Sequence, residues 1–377
     1  MIGAAARSTQ HAAGEAAAAP ARGPGLGAWG AFVIALALTS SMSGCYYFQA
    51  ARGQLHLIFA RERIDQLLED PALDPALRSG LERVSAAREF AVTELGLPDN
   101  GSYQHLVRLD GERVAWNVFA APELSLAPRR WCFPIVGCVS YRGYFSREGA
   151  AGYAARLAAD GFDVDVAPVA AYSTLGTFRD PVLDEMLRWP EPELAGLIFH
   201  ELAHQQLYIQ DDTAFNEGYA TAVEAIGLRR WLLAHPLDDE ALLAYREREQ
   251  READFNALLL ATRNQLAALY ASAADDASKR AGKAAAFDAL LRDYRAMRDD
   301  AWGGYEGYDA WFARPLNNAR LLPVITYHSW SDAFIALYEV QGEDLTTFYA
   351  AVAEIGALEA APRRARLEAL DRAAQTP

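Results

Sequence analysis

Histidine is scarce in this sequence, with seven in 377 residues, and cysteine is scarcer, with three. Cations are outnumbered: 35 Lys and Arg stand against 50 Asp and Glu, giving a net charge of −15 and a pI near 5.0. There is no basic stripe with interleaved aromatics, so the composition excludes a nucleic-acid partner. Long apolar runs are missing too. The run from Trp29 to Leu38 is too short to span a bilayer as a helix but suits a signal-peptide core. After Cys45 there is neither an internal repeat nor a low-complexity linker.

What remains can bury a large core, since 52% of the residues are hydrophobic. Residues 46–95 read as two helices, Gln49 to Leu68 and Leu77 to Leu95, broken by Pro71 and Pro75. Strand formers dominate Leu106 to Leu109, Val114 to Phe119, Val139 to Phe145 and Phe162 to Val166, with a helix from Arg147 to Ala159 between the last two. Beyond Pro181 the pattern is helical, with segments at 238–274, 276–298, 324–340, 345–358 and 362–374. The expected fold is α+β and zincin-like: a small mixed sheet beside one chemistry-bearing helix, with a mainly helical C-terminal half. Three segments follow: a signal peptide at 1–44, helices plus a β-rich region at 45–180, and a helical metal-binding region at 181–377. The last two can also form one intimate domain.

Two of the few histidines stand four apart in His200-Glu201-Leu202-Ala203-His204. On a helix that spacing turns both imidazoles to one face, where they can share a Zn²⁺ ion. Glu201 falls beside the metal rather than on it, the place for a general base. Pro190 and Pro192 mark the start of this helix, and Asp211-Asp212-Thr213 offers caps for a second. A catalytic zinc takes three protein ligands. Glu217, after twelve intervening residues, and Glu224, after nineteen, compete for the third place.

The stretch from His200 to Gln205, followed by Asn216-Glu217-Gly218-Tyr219-Ala220, resembles the gluzincin metallopeptidases. In their aminopeptidase-N branch HELAHQW precedes NEGFA, whose glutamate is a zinc ligand. The resemblance therefore implies Glu217 as ligand and leaves Glu224 either to accept a hydrogen bond from a ligating histidine or to stand as a solvated acid. The gap between the two halves is shorter here, and the tryptophan after Gln205 is absent. From Cys45 to about Trp231 the chain is also similar to the bacterial predicted-aminopeptidase lipoproteins. The shared stretches are Trp116 to Glu123, Trp131 to Pro134 with Cys138, Tyr141 to Phe145, and Tyr172-Ser173-Thr174-Leu175-Gly176. The implied activity is hydrolysis of peptide bonds in a peptide or protein, with Glu201 as base. Tyr327 and His328 are candidates to stabilise the oxyanion, ahead of Tyr305 and Tyr308. Tyr172 and Ser173 are placed on a substrate-binding edge or on a surface loop. The GxMEN glutamate that binds a free α-amino group has no counterpart, and Glu123 is the nearest substitute.

Small residues before Cys45 look like a lipoprotein cleavage site, although Met42 stands where leucine is usual. Lipid on Cys45 would anchor the chain to a membrane, facing the periplasm of a bacterial envelope. Cys132 and Cys138 then remain as a pair, with Pro134 and Gly137 allowing the turn a disulfide needs. Besides an aminopeptidase, the residues allow an endopeptidase or a non-catalytic binding or assembly lipoprotein with a structural zinc. Glu201 speaks against the last, because a structural site has no use for a base. No feature signals an oligomeric state.

Overall fold

Aspartate and serine open most of the long helices. Asp74, Ser146, Asp212, Asp238, Asp275 and Asp344 each accept a hydrogen bond from the backbone N–H three residues on, satisfying a donor the helix itself leaves unpaired. The computed structural model describes residues 46–109, 113–133, 137–169, 173–176, 178–327 and 330–374, with the side chains of 324–327 excepted. The expected signal segment 1–44, Cys45, Tyr172 and His328 lie outside the described residues.

Residues 46–59 are helical, followed by β1 (Glu62–Arg63), α1 (Ile64–Glu69), α2 (Pro75–Thr93), β2 (His105–Val107) and β3 (Trp116–Pro122). Then come β4 (Trp131–Phe133), β5 (Gly137–Val139), β6 (Tyr141–Tyr144), α3 (Arg147–Ala159), β7 (Phe162–Pro168) and β8 (Val182–Leu183). The C-terminal half is α4 (Glu191–Gln206), α5 (Thr213–Ala234), α6 (Asp239–Ala271), α7 (Asp276–Ala296), α8 (Asn318–Tyr327), α9 (Ser331–Val340), α10 (Leu345–Gly356) and α11 (Ala360–Ala374). The class is α+β and mostly helical. Residues 52–377 form one compact unit.

The β-rich region differs from a single small mixed sheet. Strands β1, β2 and β8 form one sheet, antiparallel on one side of β2 and parallel on the other. Strands β6, β3 and β7 form a second, wholly antiparallel sheet, and β4 with β5 make a separate ladder. The run from Val139 to Phe145 divides at Ser140 because its two ends pair with different strands. Likewise the expected helix 49–68 is interrupted by β1, and 324–340 is two helices, with Trp330 as the N-cap of the second.

The main core gathers around α2, α4 and α5. Phe90 of α2 stacks edge-on to Trp231 of α5 at 5.1 Å and lies 5.9 Å from Phe199 of α4. The Arg83 guanidinium on α2 donates to the carbonyls of Leu187 and Trp189, which fixes the approach to α4. A second apolar cluster joins α6 to α7 through Phe255, Leu259, Leu266, Phe287 and Leu290. Among the described residues no helix is long and apolar enough to cross a membrane.

Candidate functional site

Helix α4 starts at Glu191 after Pro190 and carries His200, Glu201 and His204 into the core side of its face. The two imidazoles are buried, with ring centroids 4.9 Å apart. Helix α5 supplies Glu217 opposite them, and its residues show why the segment has the sequence Asn-Glu-Gly-Tyr-Ala. The Asn216 side chain brackets Ile209, accepting from its N–H and donating to its carbonyl at 2.8 Å each, which closes the connection from α4. Gly218 faces Trp330, whose Cβ would lie 2.9 Å from any added methyl group. Tyr219 is packed in the core and donates its hydroxyl to Gln206 Oε1.

Glu217 Oε2 lies 3.4 Å from His200 Nε2 and 3.5 Å from His204 Nε2. One ligand atom from each of the three residues lies within 4.8 Å of the other two. Tetrahedral ligands each ~2.1 Å from a zinc ion stand about 3.4 Å apart, so the triad has room for one ion with little movement. A further observation fits a metal. Glu217 Oε2 and His204 Nδ1 are buried without a hydrogen-bond partner among the described residues, and an orphaned carboxylate oxygen is costly unless a cation meets it.

The electrostatics point the same way. Burial pulls the basicity of His200 down, but the adjacent Glu217 and Glu224 carboxylates outweigh it and raise its pKa to about 10. Burial pushes Glu217 up, and the two histidines overcome this and hold it at about 2. The two shifts are reciprocal, each partner favouring the charged form of the other. Glu201 is raised, chiefly by burial, although His204 and His200 counteract it. His200 Nδ1 donates to Glu224 Oε2 at 3.0 Å, leaving Nε2 directed at the triad. Gly196, one turn before His200, makes room for this contact: a Cβ there would stand 3.0 Å from Glu224 Oε1.

The other residues singled out from sequence separate. Ser173 is brought near the site, where its side chain counteracts the raised pKa of Glu201, and its hydroxyl donates to Asp180 Oδ2 at 3.2 Å. It lies in a turn closed at Gly176, and residues 173–176 form no strand. Tyr327 ends α8, and its side chain lies outside the described residues. Glu123 is held elsewhere. It ion-pairs with Arg280 at 2.9 Å and lines a cavity of about 530 Å³ that contains none of the triad. Tyr308 stacks on Phe255 in the second cluster. Cys132 and Cys138, directly opposite in the β4–β5 ladder, are joined by a disulfide.

His200, Glu201 and Glu224 open onto a cleft of about 810 Å³. Its walls include Phe119, Trp189 and Leu228, and its carboxylates are joined by Glu249, Glu252 and Glu193, the last ion-paired with Arg248; no Lys or Arg stands among the described lining residues. Sequence reasoning passed over Tyr208, which the Glu217 carboxylate influences, and Asp180, which anchors the turn at Ser173. Neither lies in a recognisable local pattern. Residues 45–367 match the protein family described as “Putative aminopeptidase”. No curated protein and no solved structure matches the chain.

Proposed function

The chain belongs to the family described as “Putative aminopeptidase”, and from that premise we propose that it is a zinc-dependent aminopeptidase of the gluzincin type, anchored in the bacterial envelope by lipid on Cys45. The observation that carries the reading is the convergence of His200, His204 and Glu217, whose ligand atoms lie within 4.8 Å of one another beside Glu201. Small sheets beside the HExxH helix are in keeping with a zincin-like arrangement.

His200, His204 and Glu217 would hold the ion. A zinc ion supplies Lewis acidity when bound, polarising the carbonyl of the scissile bond. Glu201 takes the proton of the attacking water and passes it to the leaving amine. Its buried setting, which raises its pKa, makes it a stronger base than an exposed glutamate. Glu224 keeps the His200 ring oriented through Nδ1. Tyr327 and His328 remain the proposed oxyanion donors. The acidic lining of the cleft suits a substrate that enters with a free α-ammonium group, and this favours an aminopeptidase over an endopeptidase.

A digest of a peptide library by zinc-loaded protein tests the reading. The expected result is about one zinc per chain and cleavage of free N-termini, with N-blocked peptides spared. Equal cleavage of blocked peptides would make it an endopeptidase. No metal uptake on adding zinc would end the enzymatic reading. For the anchor, the mature protein is expected to begin at an acylated Cys45 and to sediment with membranes, and Cys45→Ala to abolish both.

A further inference from the structure

Ten large apolar side chains are exposed among the described residues, and four of them, Tyr47, Phe48, Leu55 and Phe59, fall between positions 47 and 59. Phe59, at 83%, is the most exposed of the ten. Residues 52–59 belong to the compact unit and form a helix with two unlike sides. On one side Leu57 is buried in the main core, and a Cβ at Gly53 would run into the Phe145 ring. On the other side Arg52, Leu55, His56 and Phe59 are all exposed, at the three- and four-residue spacing that defines one helix face. The residues before them, 46–51, are helical as well and expose Tyr47 and Phe48.

The charge of this stretch runs against that of the chain. From Tyr46 to Arg61 there is no Asp or Glu, while Arg52 and Arg61 each add a positive charge; the whole chain carries −15. That choice argues against a second copy as the occupant, since a two-fold contact through this face would bring Arg52 towards its own counterpart. It suits an anionic lipid surface, where apolar side chains enter the acyl boundary, arginine meets the headgroups and a carboxylate would be repelled. Chain length adds an independent reason. Arg52 follows Cys45 by seven positions, so the backbone keeps it within about 25 Å of a lipid-bearing Cys45. A face tethered that closely meets the bilayer at high effective concentration.

We propose that the exposed face of residues 52–59 docks the folded body onto an anionic lipid bilayer, with Leu55 and Phe59 inserted and Arg52 among the headgroups. The choice of occupant rests on the reading of Cys45 as a lipid anchor. Two apolar side chains alone give marginal, reversible association, so the face orients the body against the membrane and does not replace the anchor.

The test uses residues 46–377, which contain the whole compact unit 52–377 and lack Cys45. Vesicles of phosphatidylglycerol and phosphatidylethanolamine in equal parts, titrated at low ionic strength, give a partition coefficient by co-sedimentation. Binding is expected there, falling as salt rises and weaker by about tenfold on phosphatidylcholine alone. Leu55→Ser with Phe59→Ser should lower the coefficient by about tenfold or more, and Arg52→Glu by about tenfold. Leu233→Ser, which removes another exposed leucine, on α5, should leave it unchanged. All these positions are exposed, so melting temperatures measured alongside should match the unsubstituted protein. No binding to the anionic vesicles would overturn the proposal. So would binding that survives the Leu55 and Phe59 changes, or an equal loss in Leu233→Ser, which indicates general stickiness. A dimer in sedimentation velocity that the double variant abolishes, without vesicle binding, would make the face an interface between copies. Mass analysis of Cys45 in the mature full chain decides the anchor separately. Vesicle binding with an unmodified Cys45 would end the anchor reading and leave the docking face standing, and an acylated Cys45 without vesicle binding would do the reverse.

Discussion

Two helix pairs dominate the C-terminal half, and they bury different things. The α6–α7 pair buries Phe255, Leu259, Leu266, Phe287 and Leu290, and the one buried polar residue on it among those described, Thr262, satisfies itself on the Leu258 carbonyl. The α4–α5 pair buries His200, His204 and Asn216, with Glu217 nearly so, in a core otherwise made of Ala195, Ile198, Phe199, Ala203 and Phe215. Hydrophobic burial accounts for the first pair without remainder. In the second, Asn216 closes a loop, but the histidines and Glu217 have no structural task that an apolar residue would not perform better. Polar groups retained against that cost mark the place where chemistry is expected.

The sharpest way to break the comparison is to remove a group from each pair. His200→Ala, His204→Ala or Glu217→Ala should empty the site of zinc, measured by elemental analysis, and abolish hydrolysis, since each deletes one of the three proposed ligands. Leu259→Ala in α6 should do the reverse. It should lower stability by about 2–5 kcal/mol in a denaturant titration while the folded protein still holds zinc. Loss of zinc in Leu259→Ala, judged on the folded fraction, would mean that the two pairs are not independent.

Glu201→Gln comes next. It preserves shape but removes the proton acceptor, so zinc content should stay near wild type while hydrolysis falls by roughly two to four orders of magnitude. Retained activity on a peptide that wild type cleaves would move the catalyst away from the HExxH site altogether.

These targets could be named early because the chemistry of α4 is local. A four-residue spacing on one helix brings His200 and His204 together whatever the rest of the chain does. Pro190 and Asp212 delimit α4 and α5 by backbone chemistry that is equally local. Glu217 needed the flanking Asn216 and Gly218 to be told from Glu224, and the structure puts both glutamates on His200, one at each ring nitrogen. Long-range pairing was not legible. Alternation along 139–145 announces strand but not partner, and two different partners divide it at Ser140. The hydrogen bonds of Asp180 reach Ser102, Tyr103, Ser173, Thr174, Gly176 and Gln205 and so leave no pattern in any one window. Glu123 looked available in sequence and is occupied by Arg280, 157 positions away.

The smallest expected effects lie in the support of the His200 ring, and they sharpen the contrast between the pairs. Glu224→Ala removes the acceptor at Nδ1 and should weaken zinc affinity by about tenfold to a hundredfold without emptying the site at saturating metal. Gly196→Ala is subtler. By helix propensity alone, an alanine in the interior of α4 should stabilise the fold by ~0.5–1 kcal/mol. Its Cβ, however, would stand 3.0 Å from Glu224 Oε1 and 3.0 Å from Leu228 Cδ1, so both side chains must yield by a few tenths of an ångström. The Glu224 side chain is the more exposed of the contacts around His200, and it should give way first, lengthening its bond to Nδ1. The expected result is a metal-free melting temperature equal to or slightly above wild type, together with zinc affinity about two- to fivefold weaker. A melting temperature that falls with the affinity would show simple overpacking of α4 against α5. Unchanged affinity would show that the absent side chain at Gly196 serves the close approach of the helices and not the orientation of His200.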